Sequence, residues 1–315
     1  MAKPMRRLFS CGVLLFILSA HHTSGARSQA KSPDESPAAQ TEAQWPEKVP
    51  GGIRKEFRWE DINSLESVKA RSPRTSDGRK LLYRPFTLTI WISPQALRKA
   101  VDSFGCPESW LQHKFRNQEE LRRKRADLAA KAAGRGMSYI WDSDRLEVDY
   151  RWMIRQSTAD VANAADGLQE AAKRARYGDR RKVLGLHASF VQSFPHKSQP
   201  LTRCAADGTS VYVGGVTMPL ETLANGFGDC DTKCVLFGSL LAHVDGAKMV
   251  LIRSGRHAFA GILGVPKPRE RFVRLRNDTY VLVELTSPWP VGHIPGENWR
   301  ALHSKKFEII PLVGF

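Results

Sequence analysis

The sequence predicts an α+β fold in which a cysteine-bearing helix packs on an antiparallel sheet, and three observations predict it. A glycine-rich turn, Asn225-Gly226-Phe227-Gly228-Asp229, delivers Cys230 to an apolar run of helical length. Three short apolar segments follow, residues 248–252, 256–263 and 280–286, with the length and bounding turn residues of strands. Ahead of the motif, a strand-like stretch and several helical stretches supply an N-terminal accessory α/β layer.

The chain opens on Met1-Ala2-Lys3-Pro4-Met5-Arg6-Arg7, an apolar run over residues 8–20, and the small residues Ser24-Gly25-Ala26. That is the layout of a secretory signal peptide cut near Ala26. The run is shorter than the ~20 apolar residues of a membrane span. A periplasmic or secreted protein with no membrane span after cleavage is the expectation. Residues 27–55 are read as a disordered linker, rich in Ser, Pro, Ala and Gln with too little aliphatic bulk to offset chain entropy.

Residues 56–154 are read as the accessory region. Residues 86–92 form a strand, followed by a helix with Ser93 as N-cap and Pro94 at its first position. Residues 118–133 form a charged surface helix with a thin apolar face of Leu121, Leu128 and Ala132. Residues 146–154 alternate into another strand.

Two helices lead to the motif. The first covers residues 159–176 with Val161, Ala165, Leu168 and Ala172 inward. The second starts after Asp179, carries Leu186, His187, Phe190, Val191 and Phe194 at helical spacing, and stops before Pro195. His187 on that stripe reads as a core histidine. Gln192, near the helix end, is a candidate oxyanion donor beside the Cys230 backbone N–H.

In the motif, Gly226 and Gly228 permit an unusual turn and Asp229 is a good N-cap. Cys234, Leu236, Phe237, Leu240 and Leu241 supply the inward face, and Gly246 closes the helix. A thiolate at a helix N-terminus is stabilised by unpaired N–H groups, so Cys230 is placed as a primed nucleophile. His257 starts the second strand. Alternation in residues 280–286 sets Tyr280, Leu282, Glu284 and Thr286 on one face, and a carboxylate in that apolar run needs a partner, for which His257 is the candidate. Nucleophile, base and orienting acid then follow in chain order.

Several ordered segments resemble one known family. They are Phe190-Val191-Gln192-Ser193-Phe194, Pro219-Leu220-Glu221-Thr222-Leu223, Gly228-Asp229-Cys230-Asp231, Arg256-His257-Ala258-Phe259-Ala260-Gly261, Val283-Glu284-Leu285-Thr286 and Gly292-His293-Ile294-Pro295. Together they resemble the bacterial transglutaminase-like predicted cysteine proteases, over residues 155–315. The resemblance implies a papain-like, transglutaminase-like catalytic domain with Cys230 as nucleophile, His257 as base and Glu284 as the acidic third member. It implies hydrolysis of amide bonds in a protein or envelope peptide through a thioester. Acyl transfer to an amine, and a catalytically silent peptide-binding module, stay open as alternatives. The chain departs from the family pattern at Thr232, where relatives carry a further acid; the helical wheel sets that position on the helix surface.

The formal net charge of +16 stays strongly positive without Lys3, Arg6 and Arg7, which suits anionic envelope components as partners. Export and the lack of any recognition motif argue against nucleic acid. No cofactor motif is present, and Cys230, Cys234, Asp229 and His257 match no structural zinc spacing. In an oxidising compartment, Cys106 and Cys204 are the candidate disulfide, both lying in turn-like contexts outside the motif.

Overall fold

The computed structural model describes residues 13–15, 48–49, 52–64, 83–255, 257–304 and 307–314. The cleavage point at Ala26, most of the linker and Arg256 lie outside these residues. Helices combine with antiparallel sheets, as an α+β fold requires. Among the described residues no helix is long and apolar enough to cross a membrane.

Two compact units divide the chain. One comprises Met1–Ala38, Phe104–Asp149 and Pro200–Gly214; the other comprises Ala39–Ser103, Tyr150–Gln199 and Gly215–Phe315. This redraws the boundary expected at residues 154–155, because the stretch before Ser103 joins the unit that carries the motif. Aromatic packing explains why. Phe57 and Trp59, on the Gly52–Asp61 strand, meet Phe190 of the Arg180–Gln192 helix edge-on at 5.3 and 5.1 Å, and Phe57 stacks on Phe194 at 5.2 Å. Each buried ring contributes about 1.5–3 kcal/mol. The Gly52–Asp61 strand pairs from Ile53 to Asp61 with Arg84–Ile92, so residues 52–55, expected in the linker, belong to a sheet instead.

A five-stranded antiparallel sheet lies at the centre of this unit. Its order is Phe272–Leu275, Asp278–Val283, His257–Leu263, Met249–Ser254 and Glu308–Val313. The outer two strands have no counterpart among the sequence expectations. Their apolar runs are short, and pairing with buried neighbouring strands supplies what their own pattern does not. One face of the sheet packs Val250, Ile252, Phe259, Tyr280 and Leu282 with Leu302 of the Gly296–His303 helix. The Cys230–Leu241 helix is buried on every side from Thr232 to Leu241, rather than along one stripe. Gly261 has no room for a side chain: a Cβ there would meet Val250 Cγ2 at 2.9 Å and Ile252 Cδ1 at 3.0 Å.

Several local expectations hold. Ser93 Oγ accepts from Ala96 N at the head of Pro94–Ser103, and Asp179 caps Arg180–Gln192 by accepting from Arg181 N at 2.9 Å. Others change. Residues 146–154 are not one strand: Arg145–Val148 is followed by the helix Tyr150–Ser157, whose buried Tyr150, Met153, Ile154 and Ser157 recur at helical spacing. The Cys230 helix ends at Leu241 with Ala242 as an ordinary right-handed cap. Gly246, at φ 63°, instead turns the chain toward Met249–Ser254.

In the other unit the Gln118–Ala133 helix buries Leu121, Leu128 and Ala132, as its sequence pattern predicts. A small sheet there sets Ser210–Tyr212 between Cys106–Pro107 and Thr202–Cys204. This overturns the Cys106–Cys204 disulfide, and both thiols are free. They sit on strands either side of a third, opposite Tyr212 and Ser210, so two strand spacings of about 4.8 Å alone already exceed the ~7 Å limit for a bridge.

Candidate active site

The turn that presents Cys230 is built by its glycines and by pairing to a neighbouring segment. Gly226, left-handed at φ 72°, closes the Pro219–Asn225 helix. Gly228 N donates to Pro195 O at 3.2 Å, and Lys197 N donates to Gly228 O at 3.1 Å. A Cβ on Gly228 would lie 2.9 Å from Thr232 Cγ2. Asp229 caps the helix, its Oδ1 accepting from Thr232 N at 3.1 Å. Thr232 is fully buried, which corrects its expected surface placement: a Cys230 helix enclosed on all sides has no surface at that position.

On the sheet, Ala260 pairs with Val283 and Gly261 with Leu282. Carried one step further, that register sets Glu284 opposite Phe259, on the face of His257 and diagonal to it. The Asp278–Val283 strand stops one residue before Glu284. His257 Nε2 lies 2.9 Å from Glu284 Oε2. Thr286 N and Oγ1 donate to Glu284 Oε1 at 2.9 and 2.6 Å, and Asn298 Nδ2 donates to Oε2 at 3.3 Å. Burial alone would raise the pKa of this fully buried carboxyl. The bonds from His257 and Thr286 outweigh it and hold Glu284 below the usual carboxylate range.

An ionised Glu284 can only accept, so His257 Nε2 carries the proton and Nδ1 is left as the acceptor. Nδ1 takes no partner among the described residues. The His257 ring is held at the edge of Phe259, with centroids 5.1 Å apart. Cys230 is linked to this region through the Ala258 N–H, one residue past His257, which pulls the thiol pKa down.

The resting thiol is less primed than its helix position predicts. Cys230 Sγ donates to Asp231 Oδ1 at 3.3 Å, while Tyr150 Oη donates to Asp231 Oδ2 at 2.6 Å. Burial, followed by the Asp231 charge, pushes the Cys230 thiol up to about 12, with only the Ala258 N–H pulling the other way. Two nearby acids and low solvent access prevail over the helix end.

Gln192 does not serve as the expected oxyanion donor. Its Nε2 donates to Glu284 O at 2.6 Å and Trp289 O at 2.7 Å, so both amide hydrogens are committed to backbone. Its role is to hold the chain on either side of the acid. Lys233, which sequence reasoning passed over, does the same from the Cys230 helix. It is fully buried and its ammonium donates to Phe194 O and to Leu285 O at 3.1 Å. Burial lowers its pKa to about 8, against the opposing pull of Glu284. A lysine at the head of the apolar part of the helix, between Thr232 and Cys234, was the available signal. Asn63 adds a third tie, its Oδ1 accepting from Val291 N at 2.8 Å and its Nδ2 donating to Gly185 O at 3.0 Å.

His187 is a core histidine, fully buried, with Nδ1 2.8 Å from Val183 O and a pKa lowered to about 4 by burial. Cys234 is fully buried packing. Among the described residues no three His, Cys, Asp or Glu side chains are grouped to hold a metal ion. Chemically, the arrangement can orient an imidazole and neutralise an imidazolium, while the Cys230 sulfur is hydrogen-bonded to Asp231 rather than to His257. Compared with known proteins, the chain matches no family model and no curated protein.

Proposed function

We propose that the chain is an exported thiol hydrolase of the transglutaminase-like kind, with a papain-like core, acting on amide bonds of a protein or envelope peptide. One observation carries the reading: the 2.9 Å contact of His257 Nε2 with a fully buried, four-times-bonded Glu284. A structural histidine has no need of a dedicated acid that leaves its other nitrogen open. Cys230, His257 and Glu284 take the roles of nucleophile, base and orienting acid.

His257 Nδ1 takes the Cys230 proton as the sulfur attacks the acyl carbonyl. The Cys230 N–H, in the first helical turn and without an acceptor inside the helix, faces the developing oxyanion. Collapse gives a thioester, and the imidazolium passes its proton to the departing amine. Water, deprotonated by His257, then releases the acid and restores the thiol. A second amine in place of water would make the reaction an acyl transfer.

Because the resting thiol is protonated, His257 acts as a general base during attack rather than as half of a standing ion pair. The hold of Asp231 on the thiol is the specific observation favouring a second reading, a silent peptide-binding module. Mass spectrometry after exposure to a peptide bearing an acyl electrophile separates the two. Covalent mass on Cys230, lost in Cys230→Ala and slowed in His257→Ala, supports the enzyme. Reversible binding without adduct, unaffected by His257→Ala, supports the module.

A further inference from the structure

The start of the Arg84–Ile92 strand and the end of the Ala162–Arg174 helix border a shallow, open cleft of about 450 Å³. Arg84, Arg174 and Arg176 line it, and no acidic residue does. Three like charges around one concavity repel one another, and the repulsion is relieved when an anion enters.

The cleft is built rather than incidental. Arg84 Nη1 donates to Ala175 O at 2.7 Å, and the guanidinium lies 5.6 Å from the centre of the Tyr177 ring. Tyr177 is anchored in turn, its hydroxyl donating at 2.6 Å to Oδ2 of the fully buried Asp61. Oδ1 of Asp61 accepts from Ser189 Oγ at 2.8 Å and Asn63 N at 3.0 Å, so that carboxylate is engaged inside the protein. Of the three arginines, only Arg84 adds to its electrostatic environment. Glu170, the acid one turn before Arg174, is bridged chiefly by Lys173 at 2.6 Å, with a weaker pull from Arg174.

Arg176 adds an independent observation. Its backbone is left-handed at φ 57°, the conformation in which glycine commonly closes a helix. A side chain there is strained, and a glycine would be relaxed. Such strain persists where the side chain is needed in place.

We propose that this cleft is a phosphate-binding site for a polyanionic ligand. The guanidinium groups grip phosphate oxygens in their paired N–H geometry, and Phe86 and Ala171 face the part that carries the phosphate. A phospholipid headgroup and a soluble phosphate polymer share this chemistry. The site shares no residue with Cys230, His257 or Glu284, and stands whether or not the thiol reading does.

The full chain is titrated with short-chain inorganic polyphosphate by calorimetry, and with phosphatidylcholine vesicles, with and without phosphatidylglycerol, by co-sedimentation. Binding to polyphosphate assigns a soluble ligand; binding only to phosphatidylglycerol vesicles assigns a headgroup. The double variant Arg174→Gln/Arg176→Gln loses affinity by on the order of tenfold or more. Arg98→Gln/Arg122→Gln, which removes the same charge from exposed positions elsewhere, stays within about twofold of the parent. Arg176→Gly raises the melting temperature while weakening binding, a combination a purely structural role cannot give. Equal losses in the two double variants, unimpaired binding by Arg176→Gly, or no binding in either arm would overturn the site.

Discussion

Glu284 Oε2 and His257 Nε2 lie 2.9 Å apart at the end of the central sheet, and both oxygens of the acid are otherwise occupied by Thr286 and Asn298. The acid is fixed from every side, so it can fix the imidazole. Replacing Glu284 with Gln keeps the shape but loses the acceptor-only character that selects the Nε2–H tautomer. Acylation of Cys230 should slow by on the order of 10³-fold, read from single-turnover rates at a pH and temperature where both proteins are fully folded. A variant acylated at the parent rate would remove Glu284 from the mechanism.

The same acid contributes a pH dependence of stability. Its folded pKa is depressed, so the unfolded chain binds the proton more readily. The contribution is complete above the unfolded value of about 4.3 and is lost as pH falls through the lower folded value. Urea unfolding at pH 7 and in stepwise acid should show the stability gap between the parent and Glu284→Gln narrowing only in acid.

Lys233 acts in the alkaline range. Its folded pKa of about 8 lies below the ordinary lysine value of about 10.4, so between these limits the unfolded chain holds more protons and stability rises with pH. The rise amounts to about 3 kcal/mol at most. Lys233→Met should flatten this rise, measured as the difference in unfolding free energy across that range.

Asp231 holds the thiol down. Removing its charge in Asp231→Asn lowers the Cys230 pKa, because Asp231 is the largest contributor to the upward shift after burial. Alkylation at pH 7 should accelerate by on the order of tenfold for each pKa unit recovered. An unchanged or slower rate, with Cys234→Ala as the background for both proteins, would show that Asp231 does not restrain the thiol.

Gln192 offers a test of position against chemistry. Loss of its two bonds to the backbone at Glu284 and Trp289 in Gln192→Ala should cost about 2–3 kcal/mol of stability. An oxyanion donor would instead slow acylation at unchanged stability.

The helix start at Cys230, its Asp229 cap, the strand carrying His257 and the pairing of that histidine with Glu284 were all legible in the sequence. Each rests on local chemistry: glycines at a turn, a carboxylate at a cap, and a charge stranded in an apolar run that has to find a partner. Three things were decided only by tertiary structure. Gln192 and Lys233 became fixtures of the Glu284 backbone because carbonyls from distant segments arrive beside them, and no periodicity encodes that encounter. The Gly52–Asp61 strand joined the unit that carries Cys230 through Phe57 and Trp59, whose partner Phe190 lies more than a hundred residues away. The thiol lost its expected priming because burial and Asp231 act through space, whereas sequence reports only that a cysteine begins a helix. Local pattern determines which groups are present and which way they first point; desolvation and long-range contact determine what each is free to do.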